Sequence, residues 1–323
     1  MSPMRLTVIT AGRRGVAGAP SGHTDEMEIS RRERFLQLSR IYALHTAPLE
    51  TLGEDPRRQH DPDLAALKVR LEDDWLAELD QAIADDELNP ALGGRAATDD
   101  VVATMRRLAA RDRLPEIYRW LAEEADRDQL VRFLAVEGGP DAGFDDLVSA
   151  CQLGLRGAAK VALAVNYWDE MGHGDPAAVH TVLHDRLVRA LDIDEVPAAD
   201  QPESALARTA FCGLLATNRW LQPEMLGALG LVELQAGPRC RLVLHAFDRL
   251  QVPAEAYPFY EVHAEVDPTH GKDWLEKAIA PYIDEHPHWA ARVLRGALWR
   301  SVVNSAFLDD VSADLMPAQQ RAA

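Results

Sequence analysis

The chain has 323 residues, of which 52 are acidic and 34 basic, giving a formal net charge of -18. A charge of this sign repels phosphate backbones and anionic lipid head groups, so we expect neither a nucleic acid nor a membrane surface as a partner. The length fits one large domain, or a domain with an extension.

The cysteines and the apolar runs limit the cellular context. Cys151, Cys212 and Cys240 are an odd number and lack paired spacing. This pattern disfavours a disulfide framework or a thiolate metal site and favours a reducing compartment. No apolar stretch reaches the roughly 20 residues of a membrane-spanning helix. We therefore predict a soluble, cytoplasmic protein.

The N-terminal third divides into a leader and a helical extension. Residues 1–27 are rich in Gly, Ala, Arg and Ser without a sustained period, which predicts a disordered leader. Helical periodicity follows over residues 28–42 and 63–83. A break around Pro90, Gly93 and Gly94 ends this pattern. We predict a helical extension over residues 28–112 and a main domain over 113–323.

The main domain also has helical periodicity and almost no strand signal, so the predicted fold is all-α. After a helix over 101–110, the predicted helices are 115–136, 144–153, 158–171, 176–191, 204–216, 223–234, 239–250, 272–282 and 289–308.

The segment YEVHAEVDPTHGKDW carries the clearest metal-binding pattern. Asp267 follows His263 by four positions, and His270 follows Asp267 by three. On a helix these offsets confine the three side chains to an arc of roughly 60°, although Pro268 is expected to kink that helix. Imidazole combined with carboxylate favours iron, manganese or zinc over calcium.

A second candidate lies in NYWDEMGHGDPAAVH. Glu170 ends an apolar helix, where an acid opposes the helix dipole. The following glycines permit a chain reversal that would bring His180 to the same centre. His173 competes for this role, because Glu170 and His173 form the Glu-x-x-His spacing of di-iron bundles. We prefer His180, because His173 stands between two glycines.

Two further acids interrupt apolar helical sequence. Glu233 lies in MLGALGLVELQ, and a buried carboxylate there requires a cation or a partner. Glu137 in RFLAVEGG is a similar case, although the glycine pair after it could end the helix beside it. Both are candidate metal ligands.

These motifs together resemble the heme-oxygenase-like di-iron oxidases and oxygenases, a family of iron-containing redox enzymes. The resemblance rests on DEMGHG with His180 downstream and on the later His-x-x-x-Asp-x-x-His of His263 to His270. It implies a heme-oxygenase-like seven-helix bundle preceded by the N-terminal helical extension.

The resemblance also implies a cofactor and a reaction class. Two Fe(II) ions would activate dioxygen, and reducing equivalents from an external electron donor would restore the ferrous state. The implied ligands are Glu137, Glu170, His180, Glu233, His263, Asp267 and His270, with His173 as the alternative to His180. The carboxylates of Glu170, Glu233 and Asp267 are the bridging candidates.

The substrate does not follow from the fold. We expect a small molecule, with an amino acid or related carboxylate as the first choice, undergoing N-hydroxylation, oxidative C–C cleavage or decarboxylation. Arg239 and Arg241 are candidate partners for a substrate carboxylate. The candidate pocket aromatics are Trp168, Tyr257, Phe259 and Tyr260. A homodimer is a further expectation.

Three alternatives stay open at this point. The same fold could bind heme through one histidine, or could serve as a non-catalytic interaction module. A thiaminase-like enzyme would instead need an activated cysteine, and none of the three cysteines has a neighbouring base in the sequence.

Overall fold

The computed structural model describes residues 29–88, 97–141 and 143–318, and within these ranges the chain forms helices and no strands. The all-α prediction is confirmed. The predicted leader (1–27) and most of the predicted break (89–96) lie outside the described residues. No helix in the described ranges is both long enough and apolar enough to cross a membrane.

The α-helices are α1 (Arg31–Thr46), α2 (Pro62–Ile83), α3 (Thr98–Arg111), α4 (Glu116–Glu123), α5 (Arg127–Asp141), α6 (Phe144–Cys151), α7 (Gly157–Glu170), α8 (His180–Ala190), α9 (Glu203–Thr217), α10 (Gln222–Leu250), α11 (Tyr257–Asp273), α12 (Ala280–Glu285) and α13 (Ala290–Leu315).

The predicted single helix over residues 115–136 is wrong, because the chain forms α4 and α5 with a break between them. The backbone N–H of Gln129 donates to Asp126 Oδ1 at 2.9 Å, and the backbone N–H of Asp126 donates to Gln129 Oε1 at 2.8 Å. Such reciprocal capping bonds start a new helix. Arg249 donates to backbone carbonyls at the end of α4, which satisfies that terminus.

The predicted separation of helices 223–234 and 239–250 is also wrong, because α10 continues through Pro238. Proline removes one backbone hydrogen bond from a helix interior and normally kinks or ends the helix. Here α10 packs along both α11 and α13. These tertiary contacts outweigh the local preference for a break, so one long helix runs past the candidate site.

Two clusters of buried apolar residues form the core. One joins α1–α3 to α9, α10 and α13, with Trp75 in edge-to-face contact with Phe211. The other joins α4, α5, α8 and α11 to the same α10 and α13. The N-terminal helices therefore share a core with later helices. The division into a leader, an extension over 28–112 and a domain over 113–323 stays a prediction.

The crossing of α10 and α13 depends on glycine. A Cβ atom added to Gly296 would lie 1.9 Å from the carbonyl oxygen of Glu224, and one added to Gly227 would lie 1.8 Å from that of Val293. Both contacts involve backbone, which cannot move aside without separating the helices. The two glycines thus set the spacing of the two longest helices.

We expect Gly296→Ala to lower the free energy of unfolding by about 3 kcal/mol or more, because the methyl group forces α13 away from α10. Urea denaturation followed by circular dichroism measures this change. Gly143→Ala is the matched control, since a Cβ at Gly143 meets no atom within 4 Å. A Gly296→Ala protein as stable as the parent would contradict the close helix crossing.

Candidate metal centre

The turn after α7 brings Glu170 and His180 together. Glu170 is the last residue of α7, and the chain reverses through a short 3-10 turn, Gly172–Gly174, before α8 begins at His180. Gly172 has a φ of +56°, a left-handed conformation that glycine adopts without steric cost. Both side chains are buried, and His180 Nδ1 lies 2.7 Å from Glu170 Oε2. The chain reversal expected from the glycines is present.

His173 takes a different position. It has a φ of +53°, and its side chain is 69% exposed. Its Nε2 lies 3.0 Å from Asp169 Oδ1, on the outer side of that carboxylate. This geometry favours His180 over His173 as the partner of Glu170.

His263, Asp267 and His270 all lie on α11, which continues through Pro268. Proline leaves the carbonyl of Ala264 without its helical donor. Arg241 Nη1 donates to that carbonyl at 2.7 Å, which compensates the lost bond. The continuous helix therefore keeps the three side chains on one arc.

The tautomer of His263 follows from its hydrogen bond. His263 Nδ1 lies 2.6 Å from the carbonyl oxygen of Phe259. A carbonyl can only accept, so Nδ1 carries the proton and donates, and Nε2 keeps its lone pair. The rings of His263 and His180 lie 4.6 Å apart, centroid to centroid. Nε2 of His263 is thus available as a metal ligand beside His180.

Glu233 reaches the same region from α10, which lies close against α11. A Cβ added to Gly271 of α11 would lie 2.9 Å from the carbonyl oxygen of Glu233. The buried carboxylate of Glu233 accepts a hydrogen bond from Asn166 Nδ2 at 2.8 Å. Its other oxygen lies 3.5 Å from His270 Nδ1, and Asp267 Oδ1 lies 3.8 Å from the same nitrogen.

Within the described ranges, two groups of side chains have ligand atoms all within 4.8 Å of one another. One group contains Glu170, His180 and His263, and the other contains Glu170, Glu233 and His270. Glu170 belongs to both. Each group could hold a metal ion, and the Glu170 carboxylate is common to the two.

Several buried ligand atoms lie close together without forming hydrogen bonds of good geometry. Among the described residues, this is true of His180 Nδ1, His270 Nδ1 and Asp267 Oδ2, although carboxylate oxygens lie 2.7 Å from the first and 3.5 Å from the second. Buried polar atoms are normally satisfied, so orphaned donor atoms that converge on one region indicate an absent partner. Nitrogen and carboxylate oxygen ligands together suit iron. The residues therefore fit a metal cation.

The electrostatics of the centre also suit a bound cation. Burial raises the pKa of Glu233 and holds the pKa of Asp267 well above its usual range, with repulsion among the acids adding to both shifts. Burial lowers the pKa of His263 to about 4. Burial also lowers the pKa of His270, but Glu233, Asp169 and Asp267 outweigh this and raise it to about 10. A metal ion would supply the positive charge that these carboxylates require.

Glu137 lies outside both groups. Tyr118 Oη donates to its Oε1 at 3.1 Å, Tyr260 Oη donates to its Oε2 at 3.4 Å, and Arg208 Nη2 lies 3.8 Å away. The half-buried Asp145 of α6 was missed by the sequence reasoning. Burial raises its pKa, and the charges of Asp146 and Glu170 add to the shift.

A cavity of about 80 Å³ adjoins the centre. Glu170, Glu233, His263 and Asp267 line it, together with Glu137. Of the predicted pocket aromatics, Phe259 and Tyr260 also line it. Trp168 and Tyr257 do not, and Trp168 is instead exposed on the outer face of α7. Arg239 lines the cavity. Arg241 is instead exposed and donates a hydrogen bond to a backbone carbonyl of α11. The other lining residues are Tyr118, Gly138, Phe144, Arg208, Val232, Gln235, Ala236, Cys240 and Arg300.

The sequence reasoning did not select two residues that support the ligands. Asp169 Oδ2 lies 2.6 Å from His270 Nε2, and Asn166 holds Glu233. A carboxylate behind a ligating histidine fixes the ring and raises its basicity. For Asn166 the sequence did offer a signal, because this polar residue lies one turn before Glu170 in a largely apolar helix.

Residues 131–303, more than half of the chain, match the sequence model of a family described as iron-containing redox enzyme. The matched range contains all six side chains of the centre. No curated protein matches the chain. The family match confirms the resemblance predicted from the motifs and the heme-oxygenase-like fold that it implied.

Proposed function

This chain belongs to the family of iron-containing redox enzymes, and from that membership we propose that it holds two Fe(II) ions and uses dioxygen to oxidise a small molecule. The observation that carries the proposal is the position of Glu170 in two groups of ligand atoms. Di-iron sites in helical bundles use carboxylates from separate helices in this way. We propose an amino acid or related carboxylate as the substrate.

The proposed ligands come from four helices. His180 and His263 would hold one iron, and Glu233, Asp267 and His270 the other, with Glu170 shared. Glu137 was also predicted as a ligand from the sequence. It lines the same cavity but belongs to neither group of ligand atoms found among the described residues, so its role as a ligand stays a prediction from the sequence.

When bound, the two Fe(II) ions would supply the redox chemistry that reduces dioxygen. In a hydroxylation one oxygen atom enters the substrate and the other leaves as water, while an external donor supplies two electrons and two protons. The protein residues position the ligands. Asn166 fixes Glu233, Asp169 fixes His270, and the carbonyl of Phe259 fixes His263. The buried centre keeps bulk water from the reacting atoms.

Iron analysis tests the proposal. Anaerobic reconstitution with Fe(II), followed by desalting, is expected to give about two irons per chain. His263→Ala and Glu233→Ala should each leave about one, because each removes a ligand from a different group. Glu261→Ala is the matched control, since Glu261 is an exposed acid on the same helix as His263.

Oxygen consumption measures the activity. A screen of amino acids and fatty acids with the iron-loaded protein should find a substrate that triggers dioxygen uptake. Fewer than two irons per chain, or ligand variants that keep the full iron content, would contradict the proposal. A strong Soret absorbance band in the purified protein would instead support heme binding.

A further inference from the structure

Arg239 is a buried cation that forms no ion pair with the described residues. It is 8% exposed and lines the cavity beside the candidate metal centre. Its Nε and Nη2 donate to the backbone carbonyls of Arg113 and Asp112, at 3.3 and 2.5 Å. A guanidinium has five N–H donors, so others remain for a ligand. Among the described residues no carboxylate lies within ion-pair distance of Arg239.

Gln235 lies one turn before Arg239 on α10 and lines the same cavity. Its side chain is buried, and its Nε2 has no hydrogen-bond partner among the described residues. An unsatisfied buried amide donor is costly unless a ligand accepts from it. Residues four apart on a helix share one face, so both side chains reach the cavity from the same face of α10.

The acids that line the cavity are already engaged. Glu137 accepts hydrogen bonds from two tyrosines and lies 3.8 Å from Arg208. Glu170, Glu233 and Asp267 are proposed iron ligands. Among the described residues no carboxylate pairs with Arg239, whose guanidinium carbon lies 5.6 Å from the centre of the Tyr118 ring. Burying a cation without a counter-ion is unfavourable.

We infer that Arg239 and Gln235 together bind a carboxylate group of the substrate, with the rest of the molecule directed toward the metal centre. The planar guanidinium suits a carboxylate, and the amide supplies a further donor. The inference deepens the proposed function, because this carboxylate site opens on the cavity that the proposed iron ligands line.

Isothermal titration calorimetry with butanoate and its neutral isostere butanamide tests the inference. Iron-loaded protein under anaerobic conditions should bind butanoate and not butanamide. Arg239→Gln should weaken butanoate binding at least about tenfold, because it removes a charged hydrogen-bond donor. Arg239→Lys, which keeps the charge but loses the planar fork, should bind with intermediate affinity.

Gln235→Leu separates a ligand-binding role from a structural one. It removes a buried donor that has no partner among the described residues, so thermal stability without butanoate should stay unchanged or rise. Butanoate binding should nevertheless fall several-fold. Arg249→Gln is the matched control, since Arg249 also lies on α10 and donates to backbone carbonyls, but is exposed and lies outside the cavity lining. It should bind butanoate like the parent protein.

Several outcomes would overturn the inference. These are equal binding of butanoate and butanamide, no butanoate binding in the millimolar range, or unchanged binding in Arg239→Gln. Binding that is unchanged in Arg239→Gln but lost on iron removal would place the carboxylate on the metal and leave the proposed function standing. Failure to take up iron would instead refute the proposed function, while butanoate binding that depends on Arg239 would still support the inference.

Discussion

Glu170→Ala is expected to lower the iron content from about two per chain to less than about one, and to reduce substrate-dependent dioxygen uptake by more than about 100-fold. Glu170 is the residue common to both groups of ligand atoms, so its loss weakens both metal positions. Loss of His263 or Glu233 should weaken only one. Iron analysis of the reconstituted variants measures this difference.

The stability of the metal-free variant shows whether lost iron reflects misfolding. The charge of Glu170 raises the pKa values of Glu233 and Asp267, so these acids repel one another without a cation. Removing Glu170 relieves that repulsion, and we expect a melting temperature equal to or above that of the metal-free parent. If Glu170→Ala keeps one full iron per chain, the shared carboxylate is refuted.

Asp169→Asn is expected to lower iron affinity by about 10- to 100-fold, although Asp169 is outside the proposed ligand set. Its carboxylate holds His270 Nε2 at 2.6 Å, which turns Nδ1 toward Glu233 and Asp267. Asparagine keeps the shape and an accepting oxygen but loses the charge that makes the imidazole a stronger ligand. Competition with a calibrated Fe(II) chelator measures the affinity.

His173→Gln is the control for this experiment. His173 contacts the outer oxygen of Asp169 and is mostly exposed, so its replacement leaves the contact between Asp169 and His270 in place. We expect iron affinity within about twofold of the parent value, since exposed charge contacts contribute little. A large effect of His173→Gln with none of Asp169→Asn would reverse the assignment and revive His173 as a ligand.

The local patterns in the sequence predicted much of the fold and the chemistry of the site. Helical periodicity predicted an all-α chain, and errors arose where nonlocal or capping contacts decided a boundary, as at Asp126 and Pro238. The capping bonds of Asp126 and Gln129 split one predicted helix. The packing of α10 against α11 and α13 joined two others. Periodicity does not register either effect, because it reports only which face of a segment is apolar.

By itself, the sequence determined which donor groups the chain offers and how they are spaced along each helix, as in His263, Asp267 and His270. Only the tertiary structure decided that Glu170 is common to two groups and that Tyr118 and Tyr260 engage Glu137. It also decided that Arg239 lines the cavity with no carboxylate of the described residues within ion-pair distance. Distances between helices remote in the chain depend on how closely the helices cross. At this centre the distance between α10 and α11 is set by contacts such as that of Gly271 with the backbone of Glu233. The spacing of residues within one helix carries no information about such a contact.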